Sequence, residues 1–115
     1  MKCRDLNVWQ RSVALSSQIY MVLADLKDYG FKDQITRSGL SVPSNIAEGI
    51  ERASEKEKMR FLDIARASVA EVQTQIIIGM KIHYIDTRQG NEWINELDEI
   101  SKMITGLIKN IKNNL

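Results

Sequence analysis

Five residues that could do chemistry lie in two short runs of this sequence. Asn45 and Glu48 stand one helical turn apart in the stretch SVPSNIAEG, residues 41–49, and Ser68, Glu71 and Gln75 follow at three- and four-residue steps further on, in line with Phe61 and Ile64. Both sets fall on faces that apolar spacing marks as core, so the two polar stripes can face each other. Such a pair admits a pocket in which Glu48 or Glu71 acts as a general base. It equally admits a hydrogen-bonded network that fixes helix register, or a polar patch used in assembly. We adopt the network, because no nucleophile–base pair accompanies it, with Arg60 and Arg66 as candidate cationic partners for Glu48 or Glu71.

Other chemistry finds little support. A di-metal bundle needs two Glu-x-x-His pairs, whereas His83 is the single histidine and Met80 stands three residues before it; His83 reads as helix-terminal. Cys3 has no disulfide partner in the chain and reads as an incidental thiol in a mobile terminus, which suggests a reduced, cytoplasmic setting. No phosphate-cradling glycine loop, dinucleotide fingerprint or nucleophile elbow is present. No catalytic, metal-ligating or cofactor-binding residue is therefore assigned, and a non-enzyme is expected. The longest apolar run, IIIGM at 76–80, is too short to cross a bilayer and no leader pattern opens the chain, so no membrane partner is expected.

The elements that must position these residues are helical. Val8, Ser12, Leu15, Ile19, Val22 and Leu26 step by fours and threes and predict a helix over 6–26, closed near Gly30 by a left-handed residue. Asp33 is the expected cap of a second helix, which carries Ile35, Gly39, Val42 and Ile46 through Pro43; a proline at the first helical position would leave Val42 as a poor cap. A kinked but continuous helix results, since Gly39, four residues before the proline, leaves room for the displaced carbonyl. Ser54 and Glu57 form a capping box ahead of a third helix running to about His83. DTRQGN, residues 86–91, supplies a turn, and Trp93, Leu97, Ile100, Ile104, Leu107 and Ile111 form the seam of a fourth helix ending near Lys112. One domain over residues 1–115, an all-α, up-down-up-down antiparallel four-helix bundle with a proline-kinked second helix, is the expected fold. A 43% hydrophobic content, one proline and few aromatics suit it.

Ser41, Asn45, Ile46, Ala47, Glu48 and Gly49, then Arg52 and Ser54, then Arg60, Phe61, Leu62, Ile64, Ala65, Arg66, Ser68 and Glu71 form a pattern across the chain's centre. With DLNVWQ near the start, it resembles the bacterial four-helix-bundle proteins also known as ribosomal-RNA intervening-sequence proteins. Ala67 departs from the glycine common in that family. The resemblance implies a four-helix bundle, a ring-shaped homopentamer and no established enzymatic activity. The accessory protein of diversity-generating retroelements is similar in fold and assembly, and works beside a reverse transcriptase and nucleic acid.

Charge is sorted along such a bundle although the chain's total is only +1. Cutting each helix at its middle gathers Lys2, Arg4, Arg11, Arg52, Lys56, Lys58, Arg60, Arg66, Lys109 and Lys112 at one end. Asp5, Glu48, Glu51, Glu55, Glu57 and Asp63 join them, leaving that end at +4 and the other at −3. Helix dipoles account for the lysines that close the fourth helix, but not for basic residues near the start of the third. Lys56, Lys58, Lys109 and Lys112 are therefore the candidate contacts for RNA or DNA, on a rim that repeats if copies assemble side by side. The expected function is an oligomeric adaptor with such a rim; the alternative is a protein-only scaffold.

Overall fold

Three of the four long helices start at a side-chain cap. In the computed structural model, which describes residues 2–115, a 3-10 turn at Cys3–Asp5 leads into α1 (Asn7–Val22), α2 (Tyr29–Glu51), α3 (Glu55–Lys81) and α4 (Thr87–Asn113). Ser54 caps α3 as its spacing predicts, its Oγ accepting from the Glu57 amide at 3.1 Å. The first joint differs from expectation. Asp28, not Asp33, caps α2, accepting from the Phe31 amide at 3.1 Å, so Gly30 is a helical residue and Asp33 lies inside the helix, paired with Arg37. Asp28 wins because it is held twice: Tyr84, from beyond α3, donates its hydroxyl to the same carboxylate at 2.8 Å and packs edge-on against Phe31. With the cap at Asp28, α1 stops at Val22.

The last joint is also displaced. Residues 89–91 are helical, because Asp86 caps α4 by accepting from the Gln89 amide. The chain reverses before that, at His83, which adopts φ 65° and lets the Tyr84 amide donate back to the Gly79 carbonyl at 2.9 Å and the His83 amide to Met80 at 3.2 Å. This satisfies carbonyls that the end of α3 would leave bare.

Helix α2 runs unbroken through Pro43, with no cis peptide bond among the described residues. The four helices form an antiparallel bundle about 46 × 20 × 20 Å, each packed on its neighbours in sequence and α1 closing against α4. Val8, Leu15 and Ile19 of α1, Ile35, Val42 and Ile46 of α2, Leu62, Val69, Val72 and Ile76 of α3, and Trp93, Leu97, Ile100 and Ile104 of α4 fill the interior. Leu107 and Ile111, the last of the α4 seam, are only half-buried. Trp93 keeps its one polar atom satisfied by donating to Gln18 at 3.0 Å. Arg11 and Glu96 tie α1 to α4 through two hydrogen bonds, Nε to Oε2 at 2.9 Å and Nη2 to Oε1 at 2.5 Å. Among the described residues no helix is long and apolar enough to cross a membrane.

Two glycines separate close packing from mere helix propensity. A methyl group on Gly49 would stand 3.2 Å from the Lys58 carbonyl and 3.3 Å from Leu62, whereas one on Gly106 would meet nothing within 4 Å. Gly106→Ala should therefore stabilise by about 0.5–1 kcal/mol, while Gly49→Ala should destabilise by about 1 kcal/mol or more, both read from urea denaturation. Hydrogen bonds from Arg11 hold the Glu96 carboxyl below its ordinary range against the opposing effect of partial burial. Its contribution is thus fully present above the unfolded value of about 4.3 and is lost as pH falls through the lower folded value. Urea midpoints taken through that acid range should fall less steeply in Glu96→Gln than in the parent.

Candidate functional site

Where α2 crosses α3, a chain of hydrogen bonds joins them. Asn45 Nδ2 donates to the Ser41 carbonyl at 2.8 Å and to Ser41 Oγ at 2.9 Å, Ser41 Oγ lies 2.8 Å from Ser68 Oγ, and Ser68 Oγ donates to the Ile64 carbonyl at 3.0 Å. A carbonyl only accepts and a hydroxyl carries one proton, so the direction is fixed: Asn45 to Ser41, Ser41 to Ser68, Ser68 to Ile64. Every proton is committed, which leaves neither hydroxyl primed as a nucleophile. Asn45 and Ser68 of the expected network thus meet through Ser41. The i, i+4 spacing of Ser41 and Asn45 was the signal for that link.

The other three members do not join. Glu48 and Glu71 are exposed, and Glu48 pairs with Arg52 one turn along α2. Gln75 is half-buried, with its Oε1 enclosed and unpartnered. Nor do Arg60 and Arg66 reach Glu48 or Glu71; they pair with Glu57 and Asp63 along α3. Cys3 is buried in the 3-10 turn rather than lying in a loose terminus, and that burial, then the nearby charge of Glu51, raises its thiol pKa. A nucleophile needs the opposite shift. His83 is exposed, and among the described residues no group of three or more His, Cys, Asp or Glu is placed to hold a metal ion.

Of the basic residues, the fold brings a subset together. An open groove of about 290 Å³ between the start of α3 and the end of α4 is lined by Lys56, Met59, Arg60, Asp63 and Arg66 on one side and Ile108 and Lys112 on the other. Arg66 is fixed by Asp63 at 2.7 Å and by Thr105 at 3.2 Å. Lys56 and Lys112 stand outside the ion pairs of this end, which join Arg52 to Glu48, Lys58 to Glu55, Arg60 to Glu57 and Arg66 to Asp63. Lys58, 4.0 Å from Glu55 and only 28% exposed, is turned away, and Lys109 is exposed outside the groove. Arg11 is taken by Glu96. The rim expected from charge counting contracts to a Lys56–Lys112 pair flanked by Arg60 and Arg66.

Sequence reading also missed a stack beside this groove. The guanidinium carbons of Arg52 and Arg60 lie 4.4 and 5.4 Å from the centre of the Phe61 ring. Several large apolar residues are exposed on α1, α2 and α3. Tyr20, Met21, Val22, Tyr29 and Leu40 belong to α1 and α2, and Ile64, Ile77, Ile78 and Ile82 to α3 and its end. Trp9 of α1 and Ile94 and Ile108 of α4 pack half-buried against the core.

Removing Asn45 takes two donors from Ser41, but leaves the Ser41–Ser68 contact in place. Asn45→Ala should accordingly cost about 1 kcal/mol, the worth of an ordinary intramolecular hydrogen bond, measured by chemical denaturation at neutral pH.

Comparison with known proteins agrees with this geometry. No curated protein matches the sequence. A crystal structure of a protein of unknown function from the S23 ribosomal protein family, from Bacteroides thetaiotaomicron VPI-5482, is similar with a TM-score of 0.83 at 27% identity, over 89% of this chain and 98% of that one. Residues 4–106 match the family described as 23S rRNA-intervening sequence protein, and the chain belongs to that family.

Proposed function

We propose that this protein is a non-enzymatic assembly module, a cytoplasmic homo-oligomeric ring whose basic end binds the backbone of RNA or DNA weakly. One observation carries the reading: Lys56 and Lys112 line a shared groove, outside the ion pairs around them and flanked by Arg60 and Arg66. Phosphates would replace the water at those ammonium groups, with affinity drawn from counterion release and little sequence preference. Exposed apolar side chains on α1 and α2 and others on α3 and its end support assembly. Contact between different faces is heterologous and closes into a cycle when the rotation per copy permits, and five copies is the number implied by the family resemblance. Copies of one polarity would repeat the groove around a single end. Glu48 and Glu71 support the non-enzymatic reading, because both lie on open surface, where a general base lacks an enclosed substrate.

Fluorescence anisotropy with mixed-sequence RNA and DNA across a salt series tests the groove. Binding should be measurable at low salt and weaken steadily as salt rises, and Lys56→Glu/Lys112→Glu should abolish most of it while the fold and assembly persist. Absence of binding even at low salt, or an unchanged affinity in the variant, would leave the protein-only scaffold, which the exposed apolar side chains also favour. Light scattering should return a multiple of the 13.2 kDa protomer; a monomer at micromolar concentration contradicts the ring.

A further inference from the structure

Beside the groove, the Arg52–Phe61–Arg60 stack has a different character. Both guanidiniums already have carboxylate partners, Glu48 for Arg52 and Glu57 for Arg60 at 3.6 Å, so they offer a phosphate little net charge. They offer planes. A guanidinium is flat and weakly hydrated, and accepts an aromatic ring on its face; here the Phe61 ring and the carboxylates hold both groups in place. Arg52 and Arg60 are 40% and 63% exposed in their side chains, so the surfaces not resting on Phe61 are reachable from solvent. Lys56 and Lys112 are the converse, charge without a plane. Arg60 belongs to both features, lining the groove and lying over Phe61.

Charge where a backbone would run, and flat surfaces one side chain away, suit a strand whose bases can turn outward. In a duplex the base faces are already stacked on one another, and only phosphates would reach the stack, where Glu48 and Glu57 oppose them. A single strand can set its phosphates in the groove and lay a base on a guanidinium. Resting on the backbone-binding role proposed above, we infer that this end of the molecule selects single-stranded RNA or DNA over duplex, with an unpaired base stacked on the Arg52–Phe61–Arg60 platform.

The test compares labelled single-stranded oligouridylate, oligothymidylate and a DNA duplex of equal length by anisotropy at one low salt concentration. Arg52→Lys, at a residue outside the lining of the groove, keeps the charge and removes one of the planes. The parent should bind both single strands more tightly than the duplex, and the variant should lose about tenfold on single strands, the scale of one stacked base, with its duplex affinity unchanged. Should the lysine variant fold poorly by circular dichroism, Phe61→Leu, which removes the ring under both guanidiniums, is read the same way. Equal binding of single strand and duplex by the parent, or an equal loss on both in the variant, overturns the platform while leaving the basic groove intact. No binding of any of the three overturns both. Tighter binding of one single strand than the other, with both above duplex, sustains the platform.

Discussion

Helices α2 and α3 pack as closely as they do because the groups between them are small or absent. Gly49 brings its backbone close to the Lys58 carbonyl, where a methyl group would stand only 3.2 Å away, and further along Ser41 and Ser68 touch through their hydroxyls. Close approach sets the axial register of the two helices, since a shift would separate the hydroxyls and drive side chains into the space at Gly49. It also places Arg52, at the end of α2, over Phe61 in the second turn of α3. The α2–α3 corner is therefore built outward from a glycine and two serines.

The polar chain at this crossing looks like a site in sequence, but its geometry makes it a fastening. Its protons run one way and end on a backbone carbonyl, so the hydroxyls are satisfied without water and without a base. Part-buried polar contacts of this kind add modest net stability and discriminate between alignments, since a misaligned pairing leaves donors without partners.

Charge on the surface is organised differently. Nearly every acidic residue around the start of α3 pairs with a base three or four residues away, which neutralises much of that end locally. Lys56 and Lys112 are left over, on different helices and facing one groove. A total near zero thus coexists with a localised positive site, and the local pairs restrain the flat guanidinium groups beside it.

Sequence alone determined what depends on local spacing. The buried stripes of α1 and α4, the Ser54 cap and the passage of α2 through Pro43 follow from the 3.6-residue repeat and from contacts within one turn, although Val22, expected in the α1 stripe, is exposed. Spacing also put Asn45 and Ser68 on faces that could meet. Tertiary structure decided what depends on how each helix is rotated about its axis and on which of several partners a long side chain takes. Asp28 rather than Asp33 caps α2 because Tyr84, 56 residues away in the chain, holds it. Glu48 and Glu71 share a helical face with the network by spacing, yet the rotation of α2 and α3 leaves them in solvent. Lys58 reads as Lys56 does in sequence, but the fold turns it toward Glu55 and half buries it, while Lys56 opens onto the groove. Helical periodicity fixes which residues share a face; only packing against the other helices fixes where that face points.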